Sequence, residues 1–111
     1  MQPKTQKYLL DALYACEAII EFTCETTFDE YTQNRMLRSA VERQFEILGE
    51  AFSRLGTISP EYREQCSEVG KIIGMRNRII HGYDTVDDAI VWDAIINHLP
   101  PLVDWLRSFN L

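Results

Sequence analysis

The sequence predicts an all-α protein, an antiparallel up-and-down bundle of four to five helices filling one domain over residues 1–111. Three observations predict it. Apolar residues recur at three- and four-residue spacing through almost the whole chain, as in helices that bury one stripe. No run alternates with the period of two that a half-buried strand needs. Helix start and stop signals fall between the periodic segments, and no repeat, low-complexity stretch or linker divides the chain.

The first helix carries Leu9, Ala12, Leu13, Cys16, Ile19, Ile20 and Thr23 on its stripe. Thr26, Thr27 and Asp29 interrupt it, and "FDEYTQN" reads as a connecting loop. The second helix carries Leu37, Ala40, Val41, Phe45, Leu48, Ala51, Phe52 and Leu55, with Gly56 as its stop. In "SPEY", Ser59 can cap a short third helix, Pro60 suits its first position and Glu61 favours the positive end of the dipole. Tyr62 and Cys66 give that helix a polar side.

The fourth helix carries Val69, Ile72, Ile73, Arg76, Ile79 and Ile80, with His81-Gly82 as a stop. Gly70 and Gly74 inside it each cost about 1 kcal/mol of helix propensity relative to Ala. Their presence points to close packing of another helix, or to a local break. Asp84 or Thr85 then caps a last helix with Asp87 and Asp88 in its first turn, running through Ile90, Val91, Trp92, Ile95, Ile96, Leu99, Leu102, Val103 and Leu106. Pro100 and Pro101 lack backbone N–H groups and should kink it. Trp92 and Trp105 are expected in the core or at an interface.

Composition narrows the function classes. Hydrophobic residues make up 46% and charged residues 25%, ordinary for a soluble fold, and no apolar run approaches the roughly 20 residues of a membrane span. Residues 1–6 are polar, unlike a signal peptide, so the expected location is the cytoplasm. Cys16, Cys24 and Cys66 are odd in number with no C-x-x-C pair, which argues against a disulfide framework or a zinc site. His81 and His98 lie too far apart for a metal motif; we expect no metal and no cofactor. His98 has no visible partner and is read as structural.

A net charge of −6 argues against a protein that wraps nucleic acid. The charge is uneven, however. No Asp or Glu falls between Val69 and Tyr83, where Lys71, Arg76 and Arg78 do, and a second acid-free window holds Arg35 and Arg38. Such an island can hold a phosphate without global basicity.

The stretch "RNRIIHGYD", residues 76–84, concentrates the chemistry. Arg76 supplies a permanent charge and a planar fork matched to phosphate oxygens. On a continuous helix His81 would lie roughly 140° around from Arg76, but a turn at Gly82 could bring His81 and Tyr83 back over it. At a helix C-terminus the macrodipole favours the imidazolium and the arginines oppose it. A histidine near its unperturbed pKa of about 6.5 both accepts and donates protons. These are the parts for cleaving a phosphodiester without a metal. The ribose 2′-hydroxyl attacks its own phosphate, histidine moves protons and arginine stabilises the charge, which selects RNA over DNA. Blander roles stand beside this one: Arg76 as an ion-paired helix residue, His81 as a cap partner, and Tyr83 as a buried ring with a bonded hydroxyl.

"RNRIIHGY" resembles the R-x-x-x-x-H-x-Y pattern of HepT-like proteins in the HEPN superfamily. "YLLDALYACEAIIEFT", "ILGEA", "IIGMRNRIIHGYD" and "VWDAIINHLPPL" resemble that family in its usual order, so the likeness covers nearly the whole chain. It implies a helical bundle that forms a homodimer and a toxin-type RNA endonuclease working without metal. Arg76 and His81 match the catalytic positions, with Asn77 as a polar support. The implied partner is a minimal nucleotidyltransferase antitoxin of the MntA type, which AMPylates the motif tyrosine, here Tyr83, to silence the toxin. Two protomers facing one another would let His81 of one chain complement the other. Lys71, Arg78, Arg35 and Arg38 are candidate RNA contacts, the last two competing with a solvated-face reading. The alternative reading is a non-catalytic helical module that binds a nucleotidyltransferase partner or a nucleotide.

Overall fold

A computed structural model of the chain describes residues 1–80 with their side chains, the backbone of His81, and residues 86–111. Among these residues every regular element is a helix, as expected. The order is α1 (Pro3–Thr23), α2 (Phe28–Gln33), α3 (Arg35–Ile58), α4 (Pro60–Glu64), α5 (Glu68–His81), α6 (Asp88–Asp93), a π turn (Ala94–His98) and α7 (Leu99–Arg107). Helix α3 packs against both α1 and α5, and α7 also packs against both, which closes a four-membered bundle.

Helix α3 supplies the axis of the core because its stripe is the most regular. Val41, Phe45, Leu48, Phe52 and Leu55 are all fully buried, each at the three- or four-residue spacing that keeps one face inward. Leu9 and Ile19 of α1, Ile72 of α5, and Leu99, Leu102 and Leu106 of α7 meet them. Burying such side chains contributes about 1.5–3 kcal/mol each. At one end, the hydroxyls of Thr5 and Ser59 share a buried 2.8 Å hydrogen bond that ties α1 to the α3–α4 corner. Trp92 stacks near Phe28 and Tyr31, and Trp105 lies edge-on to Phe109.

Several local expectations need correction. The segment expected to be a loop contains helix α2, because Thr27 caps it: the Thr27 hydroxyl accepts from the Glu30 N–H at 3.2 Å and donates to the Glu30 carboxylate at 3.0 Å. This is the Thr-x-x-Glu start signal. Gly56 does not stop α3, which continues to Ile58 and ends where Pro60 disfavours helical backbone at Ser59. Ser59 makes no side-chain cap to α4; its hydroxyl is committed to Thr5. Cys66 lies beyond α4.

Gly70 and Gly74 face open space: a Cβ at either position would meet nothing within 4 Å. They therefore do not mark helix packing. Ile20, Ile80, Ile90 and Ile96, placed on apolar stripes by spacing, are exposed, while Ala15, Met75 and Ala94 are buried instead. The last helix is capped by Asp87, whose carboxylate accepts from the Ala89 N–H at 2.9 Å. The caps expected at Asp84 and Thr85, and the stop at Gly82, fall outside the described residues. The expected proline distortion takes the form of the π turn, after which Pro100 and Pro101 occupy the first turn of α7, where their missing donors cost least.

Candidate active site around Arg76

Helix α5 buries Val69, Ile72, Met75 and Ile79 and so turns Arg76 toward α3. What receives it there is Gly49, itself buried on the stripe of α3. A Cβ on Gly49 would lie 2.5 Å from the Arg76 Cγ and 3.3 Å from its Cδ, so the arginine stem occupies the space a side chain would need. The close approach between helices is therefore on α3 and not at the α5 glycines.

The guanidinium is held on two sides. Nη2 pairs with the Glu50 carboxylate, and Nη1 donates to the Asn77 Oδ1 at 3.0 Å. Nε is buried and has no partner among the described residues. The Arg76 side chain keeps 23% of its exposure, enough to present an edge to solvent while its stem is fixed. Glu50 also accepts from Arg54 Nε at 3.0 Å through its other oxygen, so one carboxylate separates two guanidinium groups. Nη1 and Nη2 each carry a second N–H with no acceptor among the described residues, and these two remain for an anion.

Glu50 is the site residue that sequence reasoning missed. The charge window around Arg76 counted only its own helix and so left out a carboxylate 26 residues away. A signal was present: a glycine on the apolar stripe of α3, between Phe45 and Phe52, marks a close approach, and the acid beside it sits at its edge.

The structure also divides the basic island. Arg76 and Arg78 point about 200° apart around α5. Arg78 and Lys71 line a cavity of about 300 Å³ between α5 and the π turn, together with Met75, Asp93 and His98. Lys71 lies 3.7 Å from Glu68. His98, expected to lack a partner, has two: its Nδ1 is 2.7 Å from Glu68 and its Nε2 is 3.3 Å from Asp93. The two carboxylates lie within ion-pair distance of opposite ring nitrogens, where the start of α5 meets the π turn.

Arg35 is exposed. Arg38 is occupied elsewhere, donating to the Thr32 carbonyl and lying 4.0 Å from Asp88, where it joins α2, α3 and α6. Beside it, burial first and then the Asp88 charge push the Glu42 carboxyl above its ordinary value. The Tyr31 hydroxyl nearby is buried without a partner among the described residues, and burial raises its pKa. Burial also pushes the Cys16 thiol up to about 12, so it stays protonated and is no nucleophile. The His81 side chain and all of Tyr83 lie outside the described residues; α5 carries the His81 backbone as its last helical residue.

Residues 12–109 match the family described as Ribonuclease HepT-like. This chain belongs to that family. It is 35% identical over 97 residues to a Methanocaldococcus jannaschii protein named "Putative RNase MJ1380", covering 86% of each chain. It is 36% identical over 97 residues to "Putative RNase TTE0752" of Caldanaerobacter subterraneus subsp. tengcongensis, covering 86% of this chain and 84% of that one. To "Probable ribonuclease HepT" of Thermococcus cleftensis it is 31% identical over 104 residues, 92% of each. No solved structure matches the chain significantly. In this HepT-like protein no helix among the described residues is long and apolar enough to cross a membrane.

Proposed function

We propose that this HepT-like protein is a metal-independent endoribonuclease acting as the toxin of a toxin–antitoxin pair in the cytoplasm. The observation that carries the reading is the Arg76 guanidinium, fixed by Glu50, Asn77 and the Gly49 gap while keeping an exposed edge. A charge held in place before the substrate arrives stabilises a developing negative charge without reorganisation.

In the reaction, the 2′-oxygen of one nucleotide attacks the adjacent phosphorus and its proton passes to a base. The bond to the 5′-oxygen breaks, and that oxygen takes a proton as it leaves. The products are a 2′,3′-cyclic phosphate and a 5′-hydroxyl. His81 is the group that moves these protons, and Arg76 holds the non-bridging oxygens. Lys71 and Arg78 contact the strand away from the scissile phosphate.

Because one chain offers one motif histidine for two proton transfers, the working form is a homodimer with a shared cleft. Mixed dimers of wild-type and His81→Ala chains read this directly: near-complete loss of activity means a shared site, and half activity means independent ones. The partner is an MntA-type nucleotidyltransferase that AMPylates Tyr83, placing phosphates where RNA would bind.

The second reading is a non-catalytic module that binds the nucleotidyltransferase or a nucleotide. It draws on the acidic net charge of −6 and on the fact that Glu50 already neutralises part of Arg76. Growth arrest on expression, relieved by His81→Ala and by co-expression of the nucleotidyltransferase, supports the toxin. Arrest unchanged by His81→Ala, or no arrest by unmodified protein, counts against it.

A further inference from the structure

A groove of about 330 Å³ lies between α1 and α3, on the Arg54 side of Glu50. That volume is in the range of about 300–1,000 Å³ typical of small-molecule sites. Its walls are Tyr8 and Lys7 from α1 and Arg54 from α3, over a floor of Ile47 and Ala51. Tyr8 is half-buried, part of its ring packed on the core and the rest facing the groove. The Arg54 side chain is 61% exposed. Glu50 bonds Arg54 with one oxygen and Arg76 with the other, so the groove opens one carboxylate away from the candidate active site.

We propose that this groove binds a nucleotide of single-stranded RNA flanking the scissile phosphate, its base stacked on Tyr8 and its phosphate on Arg54. The inference rests on the ribonuclease reading and extends it to a second subsite. An aromatic wall beside a cation is the arrangement that takes any base by its π-face and the backbone by its charge. The apolar floor suits the ring of a base, and Arg54 is already oriented by its 3.0 Å hydrogen bond to Glu50.

Lys7 lies over the Tyr8 ring, 5.5 Å from its centroid, and pairs with Asp11 at 2.7 Å. That pair is exposed and costs little to break. The arriving base displaces Lys7, which is then free to meet a phosphate. The chain thus presents three cations, Lys7, Arg54 and Arg76, in sequence along one path, against the carboxylates of Asp11 and Glu50.

The test is anisotropy binding of a fluorescein-labelled 2′-O-methyl single-stranded oligonucleotide, which cannot be cleaved, alongside cleavage of the unmodified RNA. Tyr8→Leu and Arg54→Ala should each bind roughly tenfold more weakly than wild type, the loss expected for one stacked base or one charged contact. Tyr8→Phe should bind within about twofold, since the π-face remains. Arg54 is exposed, so its variant reads binding even where Tyr8→Leu loses structure. Wild-type affinity in either Arg54→Ala or folded Tyr8→Leu overturns the inference, as does a wild type that does not bind. If wild type cleaves RNA while these variants keep its affinity, the ribonuclease reading stands and the subsite falls. Weakened binding without any cleavage keeps the subsite and removes the ribonuclease.

Discussion

Arg76 serves an incoming phosphate only if its guanidinium is already in position, and two residues of α3 decide that. Glu50 orients the fork and Gly49 leaves room for the stem. In the proposed reaction Glu50 acts as a positioning residue. Glu50→Ala should lower kcat on the order of 10–100-fold with a smaller change in KM, as a misplaced group does. Glu50→Gln should recover much of the loss, because its amide oxygen still accepts from Arg76. Steady-state kinetics on a short RNA would check the split; wild-type kcat in Glu50→Ala would remove the positioning role.

Glu42 offers a separate test at this scale. Its carboxyl is raised by burial and by Asp88, with Glu46 adding to the rise and Arg38 opposing it. A raised carboxyl pKa stabilises the fold below the ordinary carboxylate value and loses that contribution as pH rises through the folded value. Glu42→Gln should thus be more stable than wild type at pH 7, the gap narrowing as pH falls toward 4. Thermal unfolding across that range would show it.

Among the elements, α5 shows best what spacing can and cannot reveal. Its buried positions Val69, Ile72 and Ile79 follow from the three- and four-residue period. Its glycines were harder to interpret, because the same residue type marks either a close approach or mere tolerance, and only the facing helix tells them apart. Gly49 touches Arg76 across the interface, whereas Gly74 faces open space. The two substitutions should therefore have opposite signs. Gly74→Ala should stabilise by up to about 1 kcal/mol through helix propensity. Gly49→Ala should destabilise by about 1–3 kcal/mol through overpacking against Arg76. Chemical denaturation of both variants would decide it, and equal signs would contradict the packing described. Helix α2 was missed for a different reason: its Thr27-x-x-Glu30 cap was in the sequence, but six residues carry too little periodicity to be seen. The π turn, likewise, depends on how the two prolines are accommodated, which no local signal specifies.

On the scale of the whole molecule, the helical class and most of the core were legible because one regular stripe, that of α3, organises everything packed on it. The site was legible only in part. Arg76 and the basic island could be read along the chain, and Asn77 came only from the family resemblance, but the division of that island between two faces of α5, and the carboxylate that meets Arg76, depend on tertiary packing. This division bears on RNA binding by an acidic protein. With the five cations named, Arg76, Lys71, Arg78, Arg54 and Lys7, each meeting a phosphate, the log–log salt slope for a single strand should be about −3.5. A slope several-fold steeper, measured by titration at increasing salt, would require cations beyond those named.

In the proposed reaction Arg76 and His81 cleave RNA without a metal. The most direct test is incubation of purified, unmodified protein with total RNA in EDTA, beside Arg76→Ala and His81→Ala, with the product ends analysed. Wild type alone should cleave, leaving 2′,3′-cyclic phosphate and 5′-hydroxyl ends. Wild type that leaves the RNA intact, or variants that cut as well as wild type, would contradict this reaction.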